Sequence, residues 1–386
     1  MLSFRHQAVA ENQPANKNRM TSELASFAAR LRELIQHSDA GLGDFNSLAL
    51  ELFGLQFAHN PAYRKFCESR HVTPLTVTHW SQVPAIATAA FKELELTCLA
   101  PMERSRVFHS SGTTGQSPSR HFHGAESLAV YETSLLTWFR RRVVDGGQLL
   151  ILTPPPAQAN QSSLVYMFEV LRREFGGAED CFVGRVSADG AWTLAVEQTL
   201  ARLQQYPGTL RPWLLLGTAF SFVHLLDALM ARDVRIKLPP GSRVMETGGY
   251  KGRSRSLPKT ELHALIVERL RVPPAHLICE YGMSELSSQA YDNETERGSP
   301  AATRNTHSAS RAFQFPPWAR AQITSPETGR EVAEGETGLI RVFDLANVFS
   351  VMAIQTEDLG IRRGDNFELL GRAQMAEPRG CSLLAV

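Results

Sequence analysis

A run of small and hydroxylated residues has the composition of a phosphate-binding loop. Its members are Ser110, Ser111, Gly112, Thr113, Thr114 and Gly115. Glycines let the backbone approach a phosphate closely, and backbone N–H groups and hydroxyls supply donors for its oxygens. The run lacks the G-x-x-x-x-G-K-[ST] pattern of a Walker loop, and taken alone it is more typical of a solvated turn. It is a candidate polyphosphate site whose assignment depends on the rest of the chain.

A glycine-rich turn follows the apolar stretch 243–245, which predicts a strand. The turn contains Gly248, Gly249, Tyr250 and Lys251. At the end of a parallel strand, where open α/β sheets bind ligands, paired glycines permit a flat ring to lie on bare backbone. The lysine would then face an anion, and an ordinary turn with a solvated lysine fits the segment equally well.

A third polar segment follows the apolar stretch 277–279 and has the order of groups that an ATP site requires. Its residues are Glu280, Tyr281, Gly282, Met283, Ser284 and Glu285. A tyrosine can stack on a purine, and a serine can bond a phosphate. The final carboxylate can hold a magnesium ion that bridges phosphate oxygens. The alternative is a polar loop that leads into a helix.

Two residues near the C-terminus add candidate nucleotide ligands. Asp358 lies in the sequence T-E-D-L-G and can accept both hydroxyls of a ribose. Arg372 follows a glycine and provides a fixed cation for ribose or phosphate. Each of these two signals is weak by itself.

The overall composition excludes several classes of protein. The 40 basic and 39 acidic residues leave a net charge of +1, so no long-range field favours nucleic acid or an anionic membrane. The 5 cysteines form no C-x-x-C pair and no metal-ligand spacing with histidines, which argues against a structural zinc or a disulfide scaffold. Neither a signal peptide nor a membrane-spanning stretch of about 18 apolar residues is present, so we expect a cytoplasmic location.

The elements that must position these residues begin with helices. Residues 1–20 are predicted to form a flexible tail and residues 21–100 a mainly helical N-terminal region. A helix is expected to begin at Thr21 or Ser22, and Asn60-Pro61 has the pattern of a second helix start.

Residues 101–386 are predicted to form one nucleotide- and acyl-binding core. Within it, short apolar runs at 149–152, 213–216, 243–245 and 277–279 alternate with amphipathic segments, a pattern that favours a parallel, doubly wound sheet. Over 320–386 the sequence pattern changes to one that predicts short strands and turns, and we interpret this segment as a β-rich part of the same domain.

Taken together and in this order, the segments resemble the motifs of the adenylate-forming superfamily of acyl-CoA ligases, adenylation domains and luciferases. The run 110–115 is similar to the S-G-T-T-G phosphate loop, and 281–285 to the Y-G-x-[ST]-E motif. The segment 356–358 is similar to the ribose-binding T-G-D, and 371–372 to the G-R of the hinge. The resemblance implies ATP and Mg²⁺ as cofactors. It also implies an α/β large-domain fold, layered with doubly wound sheets, with a helical N-terminal part and a small β-rich C-terminal portion.

Within that superfamily, three features resemble the LuxE-type acyl-protein synthetases. These are the stretch from Pro84 that ends in Phe91-Lys92, the G-G-Y-K turn at 248–251 and the sequence R-G-C-S-L around Cys381. In that family a fatty acid is activated as acyl-AMP, and the acyl group passes to a cysteine near the C-terminus and then to a reductase. The resemblance therefore implies a carboxylic acid substrate, Cys381 as catalytic nucleophile and a reductase as partner.

The chain departs from the superfamily pattern in two places. The lysine that normally follows the phosphate loop is absent, and Arg120 is the basic residue nearby. Only residues 373–386 follow Arg372, so we expect the mobile C-terminal domain, which carries a catalytic lysine in full-length ligases, to be missing. We predict that Lys251 supplies the catalytic cation instead.

Two other functions are compatible with the same motifs. The first is a ligase that delivers the acyl group to coenzyme A or to the phosphopantetheine of an acyl carrier protein, with Cys381 uninvolved. The second is an inactive ATP-binding scaffold subunit of a reductase complex. The combination of Glu285, Asp358 and the hydroxyl-rich loop counts against the second.

Overall fold

The computed structural model describes most of the chain. The described residues are 14–37, 43–110, 117–204, 211–249, 255–293 and 311–373. The helices are α1 (Pro14–Gln36), α2 (Phe45–His59), α3 (Pro61–Glu68), α4 (Ala90–Glu93), α5 (Ala125–Arg142), α6 (Ser163–Glu174), α7 (Val196–Gln204), α8 (Ala219–Ala231) and α9 (Lys259–Leu270).

The strands alternate with the helices in the middle of the chain and follow one another toward its end. They are β1 (Ile86–Ala87), β2 (Arg106–His109), β3 (Arg120–His123), β4 (Gln148–Ile151), β5 (Gly184–Val186), β6 (Trp192–Leu194), β7 (Trp213–Thr218), β8 (Arg243–Thr247), β9 (Leu277–Tyr281), β10 (Ala290–Asn293), β11 (Ala312–Gln314), β12 (Ala319–Thr324), β13 (Thr337–Asp344), β14 (Ala353–Arg363) and β15 (Asn366–Arg372).

The N-terminal region is helical as predicted. The side chain of Asn60 accepts the backbone N–H of Tyr63, and Pro61 occupies the first turn of α3, which confirms the predicted helix start. Helix α1 begins at Pro14, ahead of the expected start at Thr21, so the end of the predicted tail is helical. Proline suits such a start because the first helical N–H has no partner within the helix.

Most strands of the described residues belong to one 11-stranded mixed sheet. Its order is β12-β13-β14-β15-β11-β10-β9-β8-β7-β4, and β1 pairs with β14. Strands β4, β7, β8 and β9 run parallel, as their apolar runs predicted. The strands from β10 to β15 pair antiparallel, and β10 joins them to β9. The β-rich C-terminal part therefore continues the sheet that carries the predicted nucleotide motifs.

Helices cover both faces of the parallel strands, which is the doubly wound arrangement that was predicted. Leu214 and Leu216 of β7 belong to the larger core, which contains the buried residues of α1 to α3 and α5. Leu215 points to the other face and belongs to the smaller core, with residues of α7, α8 and α9. The alternation follows from the two-residue period of a strand. In the described ranges, no helix combines the length and hydrophobicity that crossing a bilayer takes.

Candidate functional site

The predicted phosphate loop lies between β2 and β3, which pair antiparallel. Ser110 is described, whereas residues 111–115 lie outside the described residues. The backbone N–H of Ser119 donates to Ser110 Oγ at 3.0 Å, and the N–H of Ser110 donates to Ser119 O at 3.4 Å. The hairpin thus fixes the two points between which the loop runs. Arg120 lies 3.9 Å from a carboxylate oxygen of Glu95, so part of its charge is already compensated.

Glu285 lies beside the base of this loop. Ser119 Oγ donates to Oε1 of Glu285 at 2.5 Å, and Ser284 Oγ donates to Oε2 at 3.0 Å. The glutamate is only 5% exposed. A carboxylate and two hydroxyls form a donor set made of oxygen alone, which suits Mg²⁺. Ser119 and Glu285 are 166 positions apart in the chain, and the fold brings them into contact. The phosphate-loop segment and the Y-G-x-S-E segment are thereby adjacent.

The backbone around Glu285 is held by two buried residues that sequence reasoning missed. Asn347 Nδ2 donates to the carbonyl of Glu285 at 2.9 Å. The carboxylate of Asp344 accepts the backbone N–H groups of Ser287 and Ser288 at 2.9 and 2.8 Å. Asp344 ends β13 and Asn347 lies three residues further along the chain, but nothing in their local sequence indicates which segment they contact.

The carboxyl ends of β8 and β9 form the neighbouring part of the site. Strand β8 ends at Thr247, which is the register partner of Glu280, and β9 ends one residue later at Tyr281. Gly248 therefore lies next to the end of β9. Gly248 has φ +69°, a conformation that favours glycine, and a Cβ at Gly248 or Gly249 would meet no atom within 4 Å. A flat ring can lie against this backbone. The predicted Tyr250 and Lys251 lie outside the described residues.

Glu280 lies beneath this platform. Burial raises its pKa to about 7, although the hydroxyl of Thr247 donates to its carboxylate and favours the charged form. A Cβ at Gly282 would stand 2.3 Å from Oε1 of Glu280, so glycine is needed there as long as the glutamate keeps its bond to Thr247. Glu280 thus shapes the site from below and is not exposed toward it.

Tyr281 connects the third motif to the C-terminal one. Its hydroxyl donates to Oδ2 of Asp358 at 2.9 Å. Its ring is only 6% exposed and packs edge-on against three phenylalanines, so it offers little face to a purine. Tyr281 is therefore not placed to stack on a purine as the sequence suggested. It contacts Asp358 and holds that carboxylate in position.

Asp358 is placed between Tyr281 and Arg372. Asp358 and Arg372 are register partners on β14 and β15, and Nε of Arg372 lies 3.8 Å from Oδ1 of Asp358. Burial raises the pKa of Asp358, whereas the tyrosine hydroxyl and the guanidinium favour its charged form. Its side chain is 19% exposed, so a carboxylate oxygen can reach a ligand.

Two buried histidines on β3 support the site, and sequence reasoning did not single them out. His121 Nδ1 lies 2.8 Å from the carbonyl of Ser284, and its ring lies 4.2 Å from that of His123. Burial lowers the pKa of His121 to about 4. Burial and the neighbouring His121 hold the pKa of His123 well below its usual value.

Because these two histidines are buried, we expect the protein to lose stability in mild acid. Both are neutral in the folded protein, whereas in the unfolded chain each titrates near 6.5. The neutral histidines therefore cost the folded protein no stability above pH 6.5. As the pH falls from 6.5 toward 4, the free energy of unfolding decreases, because the unfolded chain binds protons that the folded protein does not. At about 1.4 kcal/mol per pKa unit, His121 alone should lower the free energy of unfolding by about 3 kcal/mol. Urea unfolding at several pH values measures this.

The variant His123→Phe separates this effect from other acid-titrating groups. It keeps a ring beside Phe108 but removes one buried titrating group, so the slope of stability against pH should become shallower. His37→Gln, at an exposed position, serves as the matched control. Equal slopes for His123→Phe and the wild-type protein would contradict the assignment.

Comparison with known proteins identifies relatives over nearly the whole chain. The sequence profile of the family described as "Acyl-protein synthetase, LuxE" matches residues 13–385. A long-chain-fatty-acid–luciferin-component ligase of Aliivibrio fischeri is 23% identical over 361 residues, which are 88% of this chain and 86% of that protein. The protein of the same name from Vibrio harveyi is 23% identical over 346 residues, covering 85% and 83% of the two chains.

Solved structures share the fold. A 2-hydroxyisobutyryl-CoA ligase in the postadenylation state, in complex with 2-HIB-AMP, superimposes with a TM-score of 0.56 at 12% identity. The match covers 96% of this chain and 73% of that one. An open conformation of the same ligase, in complex with 2-HIB-AMP and CoA, gives the same TM-score over 96% and 81% of the two chains. The predicted fold class is confirmed.

Proposed function

Because the chain belongs to the LuxE family of acyl-protein synthetases, we propose that it activates a carboxylic acid with ATP and passes the acyl group to a thiol. The names of the two bacterial relatives point to a long-chain fatty acid as the substrate. The observation that carries the proposal is the contact of Glu285 with Ser119, which joins the Y-G-x-S-E segment to the base of the phosphate loop.

In the first half-reaction, a carboxylate oxygen of the acid attacks the α-phosphorus of ATP, and the bond from that phosphorus to the bridging oxygen breaks. The products are acyl-AMP and pyrophosphate. Because two anions must meet, catalysis consists of positioning and charge neutralisation. In this proposal, the loop 110–115 binds the triphosphate, and the backbone of Gly248 and Gly249 faces the adenine. Asp358, positioned by Tyr281, binds the ribose hydroxyls, with Arg372 beside it.

A magnesium ion, held by Glu285 with the hydroxyls of Ser119 and Ser284, would neutralise phosphate charge. Lys251 lies two residues after Gly249 in the sequence, and we propose it as the cation at the α-phosphate. Residues 101–386 would then supply both the nucleotide and acyl sites as one core.

In the second half-reaction, a thiolate attacks the acyl carbonyl, a thioester forms and AMP leaves with the electron pair of the broken anhydride bond. We propose Cys381, which lies outside the described residues, as this thiol. Among the cysteines of the described residues, Cys67, Cys181 and Cys279 are buried, and Cys98 is partly buried. Burial raises the pKa of Cys67 to about 11 and that of Cys181 to about 12, so these thiols are poor nucleophiles at neutral pH.

The thioester would then serve a reductase partner or another acyl-accepting protein. A thioester is a more reactive acyl donor than the free acid, which is the chemical reason to form one before reduction to an aldehyde. Delivery of the acyl group to coenzyme A or to a carrier-protein thiol is the alternative, and AMP release in the presence of each thiol distinguishes the acceptors.

The test of the proposal is acid-dependent exchange of labelled pyrophosphate into ATP. We expect the wild-type protein to catalyse the exchange with long-chain fatty acids, and Glu285→Gln to lower its rate by about 100-fold, the scale of losing one pre-organised charge contact. Glu285→Gln should also shift the magnesium dependence to higher concentrations. Lys251→Ala, tested alongside, should lose rate without that shift.

Glu327→Gln, on an exposed turn, is the matched control and should exchange at the wild-type rate. Absence of exchange from the wild-type protein with every fatty, aryl and amino acid tested would favour an inactive nucleotide-binding subunit. A Glu285→Gln protein with unchanged rate and magnesium dependence would remove this glutamate from the metal site.

A further inference from the structure

A second group of chemically active side chains lies near the carboxyl ends of β8 and β9, on the face of the sheet opposite to Glu280. Glu246 and Cys279 are register partners on β8 and β9, so their side chains lie on the same face of the sheet. Helix α9 packs on that face and contributes His263. None of these three residues takes part in the proposed adenylation chemistry.

The three side chains converge on one point. Oε1 of Glu246 lies 2.9 Å from Sγ of Cys279 and 3.2 Å from Nε2 of His263, and these last two atoms are 3.5 Å apart. In a tetrahedral Zn²⁺ site with bonds of about 2.0–2.3 Å, neighbouring ligand atoms lie roughly 3.3–3.6 Å from one another. Small side-chain movements bring the three atoms to those separations.

One carboxylate oxygen of Glu246 has no partner, although the other is paired with a lysine. The side chain of Glu246 is fully buried, and Oε2 has no hydrogen-bond partner. Buried carboxylates are normally paired completely or coordinate a metal. Lys259 approaches only the other oxygen, Oε1, at 3.0 Å.

We propose that Glu246, His263 and Cys279 bind a divalent transition metal ion, for which Zn²⁺ is the best match. The donor set of one sulfur, one nitrogen and one carboxylate suits borderline-soft Zn²⁺ and excludes Mg²⁺ and Ca²⁺, which take oxygen ligands. Oε2 of Glu246 is available as a further donor, and a water molecule can complete the coordination.

In the structure, the ammonium group of Lys259 neutralises Glu246, which is the role that the metal ion would take over. Its side chain is 46% exposed, so it can swing into solvent when a dication takes over the neutralisation of Glu246. The metal would then connect β8, β9 and α9. Because its ligands come from three elements, the site would be structural. Glu246 lies two residues before Gly248, so the metal would also stabilise the strand end that carries the proposed adenine platform.

The site is tested on the full-length protein, purified without a metal-affinity step. We expect elemental analysis to find one Zn²⁺ per chain. After chelation and reloading with Co²⁺, we expect intense visible bands of a tetrahedral site together with a thiolate-to-cobalt charge-transfer band. The cobalt spectrum needs no variant, so it reports on the site even where a substitution prevents folding.

The variants Cys279→Ala and His263→Ala should lose the bound Zn²⁺ and the charge-transfer band. Cys181→Ser and His276→Ala are matched controls outside the cluster and should retain both. A wild-type protein that binds neither Zn²⁺ nor Co²⁺ after loading would overturn the proposal, as would full zinc content in both cluster variants. These readouts do not depend on acyl-adenylate formation.

Discussion

A Cys381→Ser protein is expected to keep the full rate of fatty-acid-dependent pyrophosphate exchange and to lose the covalent acyl adduct. Exchange reports only on acyl-AMP formation, to which the thiol contributes nothing in the proposed mechanism. The adduct requires a nucleophile that is partly ionised near neutral pH, and a serine hydroxyl is not. Intact-mass measurement after incubation with ATP, Mg²⁺ and fatty acid detects the adduct as the added mass of one acyl group.

The matched control for this experiment is Cys98→Ser. Cys98 is the most exposed of the cysteines in the described residues, yet burial still raises its pKa, so this variant should acquire the adduct like the wild-type protein. A Cys381→Ser protein that still acquired the acyl mass would exclude Cys381. Failure of the wild-type protein to form an adduct, combined with AMP release only when coenzyme A or a carrier protein is added, would favour the ligase alternative.

The second large effect is expected from Asp358→Ala, which should lower the rate of pyrophosphate exchange by about 1,000-fold. Hydrogen bonds to a charged group contribute about 1.5–3 kcal/mol each, and a ribose offers two hydroxyls to this carboxylate. The sum corresponds to a loss of roughly 100- to 10,000-fold. The substitution also leaves the buried hydroxyl of Tyr281 without its acceptor. The rate is measured over a range of ATP concentrations, because loss of a ribose contact should raise the KM for ATP.

Two companion variants define the role of Asp358. Asp365→Ala, in the exposed turn between β14 and β15, removes a carboxylate from the same hairpin and should leave the exchange rate unchanged. Tyr281→Phe keeps the carboxylate and removes only its positioning bond, so a smaller loss of about 10-fold is expected. If Asp358→Ala exchanged pyrophosphate at the wild-type rate and KM, the ribose assignment would be wrong.

Much of the architecture was predictable because it is encoded by neighbouring residues. The apolar runs at β4, β7, β8 and β9 predicted buried parallel strands, and the structure has them. Asn60-Pro61 predicted a helix start by its capping chemistry alone. The start of α1 was predicted too late because the polar residues after Pro14 show no apolar period, which was the signal used to place the helix.

The candidate nucleotide site was predicted only as separate motifs. Each motif is a run of contiguous residues, so its donors and acceptors are readable from the sequence. The contact of Ser119 with Glu285 depends on the β2–β3 hairpin reaching the end of β9. The change in the role of Tyr281, from stacking to positioning, depends on three phenylalanines from other strands.

The cluster of Glu246, His263 and Cys279 could not be predicted from the spacing of residues in the sequence. Sequence spacing argued against a structural zinc, because no cysteine is close in sequence to the second ligand that a zinc motif requires. Register pairing of β8 with β9 brings Glu246 and Cys279 together, and α9 adds His263. Such a site has no spacing signature, since its ligands come from three elements.

The motifs alone indicate which chemical groups are available: a hydroxyl-rich loop, paired glycines, and the carboxylates of Glu285 and Asp358. Their order along the chain indicates the family that they resemble. The sequence also determined the parallel strands, since a two-residue period and apolar runs are local properties. Which of these groups are in contact depends on the tertiary structure. Sheet order and strand register set distances between residues far apart in the chain, and local propensities carry no information about them. Three features depend on such distances and could not be read from the sequence. They are the contact of Glu285 with Ser119, the contact of Asp358 with Tyr281, and the cluster at Glu246.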